Sequence, residues 1–452
     1  MAKIPEHAST EQYLCDMTQQ PLVLSDDFRH VLDLLEKEDS NLFITGKAGT
    51  GKSTLLQLFR TTSRKKIAVL APTGIAALNV QGQTIHSFFG FPPRVITPSE
   101  ASRRVSRKDL LRMYKNLEVL IIDEISMVRA DMLDGIDSFL RVNRENFRPF
   151  GGVQVVFIGD MFQLPPVVTK DPLESAYFRD YYDSPYFFSA RIFNDPDFQQ
   201  ETHELRKVYR QESRHFLRLL EAVRLNKADH DDLADLNERY VSNHVDTEGY
   251  ITLTARNATA DRINLSELQQ ITEPEFSFSA TVSGTFDPNL YPTEFELRLR
   301  KGAQVMFVRN DVEERQFVNG TIGKITHLDS ETIIVETEEQ GKKRKIEVAK
   351  SEWEIMRYKA GATGSLETEV VGSFSQFPLK LAWAITIHKS QGKTFDKVII
   401  DLAGGAFEHG QLYVALSRCR TLEGIVLRKP IRPADVITDE RVVDFYESVH
   451  RL

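Results

Sequence analysis

Residues Gly46-Lys-Ala-Gly-Thr-Gly-Lys52-Ser53 fit the phosphate-loop pattern G-x-x-x-x-G-K-[ST]. A short apolar run, Leu42–Thr45, precedes it, and an apolar helical pattern containing Leu55, Leu56 and Phe59 follows. Glycines between a strand and a helix let successive backbone N–H groups turn inward, and the helix start adds positive potential. We therefore predict that this loop binds the phosphates of a nucleoside triphosphate.

Individual positions of the loop have separate tasks in phosphate chemistry. The Lys52 ammonium is expected to reach the β- and γ-phosphates, and the Ser53 hydroxyl is expected to be a Mg²⁺ ligand. The residues of this segment that are predicted to bind the nucleotide are Gly46, Ala48, Gly49, Thr50, Gly51, Lys52, Ser53 and Thr54.

The composition is that of an ordinary soluble protein: 452 residues, 41% hydrophobic and 27% charged, enough for two or more domains. No apolar run approaches membrane-spanning length, and the polar start Met1–Thr18 is unlike a signal or transit peptide. The two cysteines, Cys15 and Cys419, are far apart, which suggests neither a zinc site nor a disulfide framework. Because the net charge is −8, any nucleic-acid site must be a local basic groove.

The first half of the chain alternates apolar runs of strand length with helical patterns, which predicts a parallel α/β sheet. Each run ends where a polar residue begins, and ligands bind at that carboxyl edge of open α/β sheets. The predicted strands are Leu42–Thr45, Ile67–Ala71, Val119–Asp123 and Val153–Ile158.

A second set of strands predicts a second α/β lobe, interrupted by an inserted β module. Between the first two strands of this set, residues of about 275–372 show short alternating runs split by Asn319-Gly320 and Gln340-Gly341, as in a small antiparallel barrel. The lobe strands are Tyr250–Thr254, Leu381–Thr386, Val398–Leu402 and Gly424–Leu427, and the module runs are Gln304–Val308, Thr332–Glu336 and Lys345–Val348.

Two acidic residues end the predicted strand Val119–Asp123. Asp123 is placed to hold Mg²⁺, and Glu124 is placed to orient and deprotonate the attacking water. The next strand leads to Gln163, which is expected to touch the γ-phosphate. The alternative for each is structural, namely a strand that ends at a solvated turn and a glutamine that supports a proline-bounded loop.

Two arginines distinguish a motor from other phosphate-loop proteins. Arg210 is predicted to open a helix that continues through Phe216–Val223, and Arg418 is predicted to lie in the helical stretch Gln411–Arg418. An arginine supplied from a second lobe stabilises transition-state charge and makes lobe closure depend on the nucleotide. Taken singly, each is better explained as a surface arginine in a salt bridge.

Further motifs follow the phosphate loop in a fixed order: Ala71–Asn79, Thr84–Phe88, Ile121–Met127, Gly151–Pro166, Val208–Gln211, Lys301–Met306, Asn319–Gly323, Ala384–Gly392 and Tyr413–Arg418. Together they resemble the Pif (petite integration frequency) helicases, RecD-like members of helicase superfamily 1 that move 5′ to 3′ on single-stranded DNA. The resemblance covers nearly the whole chain, and Asp131–Gly152 resembles the segment that separates Pif proteins from other relatives.

This resemblance implies two RecA-like lobes with ATP and Mg²⁺ in the cleft and single-stranded DNA across both. The basic run Arg103–Lys108 falls in the implied wedge that meets the duplex junction, although a solvated helix face explains it equally well. The implied organisation is an N-terminal segment 1–40, a first lobe 41–200 with a wedge insertion 80–115, a second lobe 201–274 and 373–452, and a Src-homology-3-like β module 275–372.

Further nucleotide contacts are carried over from the resemblance. Gln391 and Gly392 are expected to contact the nucleotide and relay its state to the DNA. The family often has an adenine-reading glutamine before the phosphate loop, in a Leu-x-x-x-Gln pattern, and Phe28 occupies that position here. The alternatives are that Gln19 or Gln20 recognises the adenine, or that the base is held by stacking alone.

The resemblance also places DNA on turns at the edges of both lobes, where N–H and hydroxyl donors contact phosphates without reading sequence. His86 and Phe88 are expected to present stacking faces, whereas Phe89 and Phe91 are better explained as core. The predicted DNA-binding residues are Pro72, Thr73, Gly74, Thr84, His86, Ser87, Phe88, Thr254, Asn257, Thr386, His388 and Lys389.

Three functions compete. The first is an ATP-dependent 5′-to-3′ DNA helicase acting on single-stranded and tailed duplex DNA, with G-quadruplex DNA and RNA–DNA hybrids as further substrates. The second, a phosphate-loop phosphotransferase, leaves the second lobe and its Ser417-Arg418 helix unexplained. The third is a DNA-stimulated ATPase switch without strand separation, which the sequence leaves open. We expect a cytoplasmic, bacterial nucleoid-associated protein without a membrane partner, monomeric when free.

Overall fold

The structure is a computed structural model that describes residues 25–450 except 38–39, 170, 243–247, 312–313, 315, 340–341, 362–364 and 403–404. The expectations placed on Met1–Thr18, Cys15, Gln19, Gln20 and the Gln340-Gly341 turn lie outside the described residues. Within the described part, none of the helices has the length and apolar character needed to cross a membrane.

Lobe one, which ends at Leu205, is built on a six-stranded parallel sheet in the order β3-β2-β4-β5-β1-β6. Leu42, Phe43 and Ile44 of β1 are all fully buried because helices cover both faces of the sheet. The strands of this sheet are β1 Asn41–Gly46, β2 Ile67–Ala71, β3 Gln83–Thr84, β4 Val119–Ile122, β5 Gln154–Ile158 and β6 Gln200–Leu205.

Alternate residues of these strands belong to two apolar clusters on opposite faces of the sheet. On one face, Leu42 and Ile44 pack with Leu35 of α1 and Phe59 of α2, whereas Phe43 faces the larger core that includes α7. The helices of lobe one are α1 Asp26–Lys37, α2 Lys52–Thr62, α3 Gly74–Asn79, α4 Ile85–Phe89, α5 Pro98–Ala101, α6 Lys108–Asn116, α7 Ala130–Arg144 and α8 Pro172–Tyr181.

The end of lobe one differs from the boundary predicted at residue 200. Strand β6 pairs with β1 along its whole length, from Asn41 opposite Gln200 to Gly46 opposite Leu205. Because β6 is an edge strand, its sequence Gln-Glu-Thr-His-Glu-Leu is polar and lacks the apolar run that marks a buried strand. The predicted boundary is therefore wrong by five residues, since lobe one includes 201–205.

Lobe two has a four-stranded parallel sheet in the order β18-β7-β19-β20. Its strands are β7 Ile251–Thr254, β18 Ala384–Thr386, β19 Val398–Asp401 and β20 Ile425–Leu427. Its helices are α9 Arg214–Arg224, α10 His230–Asn237, α11 Asn257–Gln270, α12 Ile387–Ser390, α13 Gln411–Leu416 and α14 Glu440–His450.

Two predicted elements of lobe two are wrong in their bounds. The predicted strand Leu381–Thr386 is divided, because Leu381 pairs with Val305 of the β module and only Ala384–Thr386 pairs with β7. The helix expected to open at Arg210 begins four residues later, where the Ser213 hydroxyl caps α9. Arg210 therefore lies in the connection before α9. Arg418 lies just beyond the end of α13.

The inserted β module is antiparallel throughout its described strands. Its predicted end at residue 372 is wrong, because β16 continues to Gln376 and β17 pairs with β11 of the module. The strands are β8 Glu275–Ser279, β9 Thr281–Gly284, β10 Glu296–Arg300, β11 Gln304–Phe307, β12 Ile322–Leu328, β13 Ile333–Glu339, β14 Lys342–Glu347, β15 Ser351–Ala360, β16 Leu366–Gln376 and β17 Leu379–Leu381.

The β15–β16 hairpin reaches lobe one. The Tyr358 hydroxyl accepts a hydrogen bond from the Val69 N–H (2.9 Å), on a part of β2 that the two-residue strand β3 does not pair. The Tyr358 ring packs edge-on against Phe88, with 5.6 Å between ring centroids. Leu290 of the module lies so close to Gly74 that a Cβ atom there would be 2.0 Å from Leu290 Cδ2. The module thus covers part of the predicted DNA face of lobe one.

Candidate nucleotide and DNA site

The phosphate loop joins β1 to α2 at the carboxyl edge of the lobe-one sheet. Gly46 is the last residue of β1, and the other loop residues predicted to bind nucleotide lie in this connection or in the first turn of α2. Lys52 donates from Nζ to the carbonyl oxygens of Gly46 (2.6 Å) and Lys47 (3.0 Å). Desolvation lowers the pKa of Lys52 and outweighs the opposing effect of Asp160 and Glu124. Carbonyl dipoles thus hold an ammonium for which phosphate oxygens are stronger partners.

The two acids after β4 are buried enough for their pKa values to rise. Desolvation raises the pKa of Asp123 to about 6, and desolvation together with Asp123 raises that of Glu124 to about 7. Glu124 has a left-handed backbone, with φ 52°, a strained conformation that clusters at functional sites. One of its carboxylate oxygens accepts a hydrogen bond from Gln391 Nε2 at 2.9 Å. A positioned carboxylate with a pKa near neutrality is suited to act as a general base.

The residues predicted to hold Mg²⁺ fit that ion. Ser53 is exposed at the start of α2, and hydroxyl and carboxylate oxygens are the ligands that Mg²⁺ prefers. The raised pKa of Asp123 means that its surroundings compensate a negative charge incompletely, which a divalent cation would correct.

Gln163 and Gln391 connect the two lobes above the acidic pair. Gln391 Nε2 donates to Gln163 Oε1 (3.2 Å) as well as to Glu124, and Gln163 Nε2 donates to Asp160 Oδ2 (3.4 Å). Gln391 follows α12 of lobe two, whereas Gln163 follows β5 of lobe one. The structural alternative for Gln163, support of its own loop, accounts for the bond to Asp160 but not for the bond across the cleft.

The two predicted arginines lie together beside the phosphate loop. A Cβ atom on Gly49 would be 2.6 Å from Arg210 Cβ, so only glycine permits this approach. Arg210 Nη1 donates to the carbonyl of Ser417 (3.0 Å), and Arg418 donates to the Val414 carbonyl (2.9 Å) and to the Ser417 hydroxyl (2.8 Å). Desolvation, with Arg418 adding to it, lowers the pKa of Arg210 to about 9, and the pKa of Arg418 is also lowered by desolvation.

These contacts exclude the alternative of two surface salt bridges. Arg418 is 1% exposed, and no carboxylate lies within ion-pair distance of either arginine among the described residues. Cations withdrawn from water are normally paired, so half-buried Arg210 and buried Arg418 would be stabilised by an anion beside the phosphate loop.

Phe28 packs beneath the loop. A Cβ atom on Gly51 would be 3.2 Å from the Phe28 ring, and Phe28 is buried. Phe28 therefore supports the loop from below and offers no polar edge to a base.

Three of the predicted DNA turns share one local design. Thr84 and Thr386 are the last residues of their strands, Thr73 follows β2 by two residues, and each caps a short helix by accepting a hydrogen bond from a backbone N–H at 3.2–3.4 Å. Because the hydroxyl oxygen accepts this bond, the hydroxyl proton is not used in it; Thr73 is exposed and Thr84 half-buried, whereas Thr386 is buried. Thr254 differs, since its hydroxyl donates to the Arg256 carbonyl (3.0 Å) and so orders its own loop.

The remaining predicted DNA residues vary in accessibility. Ser87, Asn257 and Lys389 are exposed, and Pro72 and Gly74 are half-buried. Two histidines also lie at the turns. Desolvation, followed by the effect of Arg129, lowers the pKa of His86, and His388 Nε2 lies 3.3 Å from a carboxylate oxygen of Glu408.

Phe88 is not a stacking face, so that prediction is wrong. Its side chain is 5% exposed and its ring packs edge-on against Phe89, Tyr114 and Tyr358. Phe89 and Phe91 are also buried in the core, which confirms the interpretation made from their sequence. A phenylalanine cluster buries more apolar area than any exposed arrangement, and this outweighs the attraction of a base.

Phe88→Ala is expected to lower the free energy of unfolding by about 3–5 kcal/mol, since it opens a cavity among aromatic rings. Urea unfolding checks this. Ser87→Ala is the control, because Ser87 is an exposed neighbour and a predicted DNA contact. Unchanged stability of Phe88→Ala with weaker binding of single-stranded DNA would contradict the core assignment.

Sequence reasoning missed three buried polar residues at this site. Asp160 Oδ1 accepts from Arg224 Nε (3.3 Å) and Nη2 (3.2 Å), and both residues are inaccessible to solvent. Tyr413 donates to the other oxygen of Asp160 at 3.1 Å. In the sequence, Arg224 looks like an ordinary surface cation of a helix. The one sequence signal for this buried group was the carboxylate of Gly159-Asp160, which follows a buried strand.

Two parallel-sheet lobes, a phosphate loop, an acidic pair and buried arginines facing that loop define a two-lobed phosphate-loop nucleoside triphosphatase. The patterns of three families match the chain: PIF1-like helicase over residues 23–233, the 2B domain of DNA helicase Pif1 over 287–328, and the UvrD-like helicase C-terminal domain over 381–426. The chain belongs to the PIF1-like helicase family.

Individual relatives agree with this assignment. The ATP-dependent DNA helicase Pif1 of Bdellovibrio bacteriovorus is 33% identical over 96% of this chain and 94% of its own length. Pif1 of Bacteroides sp in complex with ADP-AlF4 is 39% identical, with a TM-score of 0.86 over 95% of this chain and 98% of its own. Bacteroides Pif1 bound to single-stranded DNA is also 39% identical, with a TM-score of 0.67 over 94% of this chain and 97% of its own.

Proposed function

We propose that this chain is an ATP-dependent DNA helicase that moves 5′ to 3′ along single-stranded DNA and opens tailed duplexes. One observation carries the proposal: Arg210, from beyond lobe one, packs against Gly49 of the phosphate loop and bonds to Ser417 beside Arg418, and neither arginine has a carboxylate within ion-pair distance among the described residues. The names of similar proteins support it, since they include an ATP-dependent DNA helicase and complexes with ADP-AlF4 and with single-stranded DNA.

Hydrolysis follows from the side chains around the loop. Lys52 exchanges its loop carbonyls for the β- and γ-phosphates. Glu124, oriented by Gln391, accepts the proton of the attacking water. Mg²⁺ held by Ser53 and Asp123 would supply further neutralisation of phosphate charge.

Movement depends on the two arginines. Arg210 and Arg418 gain phosphate contacts when the lobes close on ATP, and they lose those contacts after hydrolysis and release. A closed state stabilised by ATP alone therefore alternates with an open state. Lobes that grip DNA in turn during this cycle advance along one strand.

DNA binds across the turns of both lobes in this proposal. The free hydroxyl protons of Thr73, Thr84 and Thr386 contact phosphates, so binding is independent of base sequence. Leu290 of the β module must leave Gly74 before a strand occupies that turn. Loading of DNA at this turn therefore includes a movement of the Leu290 side chain.

We also propose that residues 80–115 act as the wedge and that the β module is Src-homology-3-like, with duplex opened as the strand is drawn past both. The proposed substrates extend to G-quadruplex DNA and RNA–DNA hybrids. The free protein is proposed to be a monomer that resides with the bacterial nucleoid.

Direction of movement gives the decisive test. A duplex with a 5′ single-stranded tail is expected to be unwound at least about tenfold faster than the same duplex with a 3′ tail, because the lobes hold one strand in one orientation. Fluorescent strand displacement in the presence of ATP measures this difference, and a blunt duplex is the control. Faster unwinding of the 3′-tailed duplex would overturn the polarity.

A second outcome of these assays distinguishes the helicase from the remaining candidate function. Hydrolysis that single-stranded DNA stimulates strongly, without displacement of either tailed strand, would identify a DNA-stimulated ATPase switch.

A further inference from the structure

Tyr413 of α13 in lobe two touches the phosphate loop of lobe one directly. The Ala48 backbone N–H donates to the Tyr413 hydroxyl at 3.0 Å, and that hydroxyl donates to Asp160 Oδ2 at 3.1 Å. Tyr413 is 3% exposed and Asp160 is fully buried. A single hydroxyl thus joins a loop amide of lobe one, a carboxylate after β5, and a helix of lobe two.

Asp160 is held from its other side, so the position of the hydroxyl is well defined. Arg224 of α9 contacts Asp160 Oδ1, and its guanidinium carbon lies 4.3 Å from the centre of the Phe162 ring. Desolvation raises the pKa of Asp160, but Arg224 and Lys52, with hydrogen bonds from Phe162 and Gln163, together outweigh it and lower that pKa, so the carboxyl is ionised despite burial. An ionised acceptor makes the bond from Tyr413 a strong, charge-assisted one.

The same carboxylate oxygen links Tyr413 to the catalytic side of the cleft. Asp160 Oδ2 also accepts from Gln163 Nε2, and Gln163 Oε1 accepts from Gln391, which donates to Glu124 as well. Hydrogen bonds in such a buried network polarise and position one another. A movement of lobe two that shifts the hydroxyl therefore changes the hydrogen bonds of the loop amide and of the two glutamines beside Glu124 together.

We propose that Tyr413 is a positioning residue that couples nucleotide binding at the phosphate loop to the placement of lobe two. This inference rests on the proposed function, because it concerns how DNA and nucleotide influence each other at the same site. DNA that spans both lobes sets the position of α13. Because the Tyr413 hydroxyl accepts the hydrogen bond from the Ala48 N–H, a shift of α13 changes that hydrogen bond. By linkage, nucleotide bound at the loop strengthens DNA binding by the same factor.

A tyrosine that merely fills space would have its hydroxyl bonded within its own lobe. The hydroxyl of Tyr413 instead joins residues 365 positions apart and uses both its donor and an acceptor site across the cleft. Removal of the hydroxyl leaves the ring, the packing and the Asp160–Arg224 pair in place. Tyr413→Phe is therefore a narrow test of the coupling.

The experiment measures the dissociation constant of a fluorescent ADP derivative with and without a saturating oligothymidylate. We expect the wild-type chain to bind nucleotide several-fold more tightly with the oligonucleotide, and Tyr413→Phe to reduce this ratio to below about twofold. Tyr186→Phe is the matched control, since the Tyr186 hydroxyl donates to Asp439 at 3.2 Å in a similar buried setting that does not touch the loop. That control is expected to keep the wild-type ratio.

Two results would overturn the inference: an unchanged ratio in Tyr413→Phe, or an equal loss in Tyr186→Phe, which would indicate general packing between the lobes. A wild-type chain that binds nucleotide but no oligonucleotide would instead contradict the proposed helicase function. Hydrogen exchange at the Ala48 amide of the wild type gives a test without substitution. Oligonucleotide binding is expected to change its exchange rate, and an unaltered rate would count against the coupling.

Discussion

Lys52→Ala is expected to abolish ATP hydrolysis and strand separation while the protein stays folded. The Lys52 ammonium binds two loop carbonyls and lies in no ion pair with a carboxylate among the described residues, so its removal breaks no direct salt bridge. The free energy of unfolding should change by less than about 1 kcal/mol, because two hydrogen bonds and the cost of desolvating the ammonium disappear together. Phosphate release with and without single-stranded DNA, and urea unfolding, measure the two effects.

Lys37→Ala is the control for this experiment. Lys37 is an exposed residue of α1 whose ion pair with Asp33 (3.0 Å) lies on the surface, so full activity should remain. Unwinding by Lys52→Ala at the wild-type rate would contradict the assignment of the phosphate loop.

Arg210→Ala should lower kcat for ATP hydrolysis by about 10³-fold, the smaller effect expected for loss of an arginine that stabilises the transferred phosphoryl group. Binding of ADP should change little, since the contact is made to the terminal phosphate. Arg210→Lys should restore only part of the rate, because an ammonium lacks the planar fork of the guanidinium. Steady-state kinetics in saturating single-stranded DNA separate the effects on kcat and KM.

Arg214→Ala is the matched control. Arg214 opens α9 four residues further along the same segment, and it is exposed. Its substitution should leave kcat unchanged. Near-normal hydrolysis by Arg210→Ala would contradict the role of Arg210 in the chemistry and its part in the proposed link between hydrolysis and movement.

The strands of the two lobes could be predicted because each buried strand is an uninterrupted apolar run. Ile67–Ala71 was predicted with its observed bounds, and Val398–Leu402 to within one residue. Strand β6 could not be recognised in this way, since an edge strand that faces solvent need not be apolar. The division of Leu381–Thr386 was equally invisible, because pairing with a strand of the β module depends on a partner about 75 residues away.

The candidate site shows the same division between local and distant causes. The order of residues alone predicts the phosphate loop and the acids after β4, because each depends on a strand and the residues that follow it, whereas the DNA turns were placed by the family resemblance. The burial of Phe88 depends on Tyr114 and Tyr358, which contact it from other parts of the chain. A stacking face and a core residue have the same local sequence.

A loop of consecutive amides between a strand and a helix is a local property, so the order of residues was enough to predict the phosphate loop Gly46–Ser53. The folded chain was needed to show that Arg418 is buried, that half-buried Arg210 packs against Gly49, and that Tyr413 contacts Ala48. Those contacts join residues hundreds of positions apart, and their formation depends on how two lobes pack, which no spacing along the chain encodes.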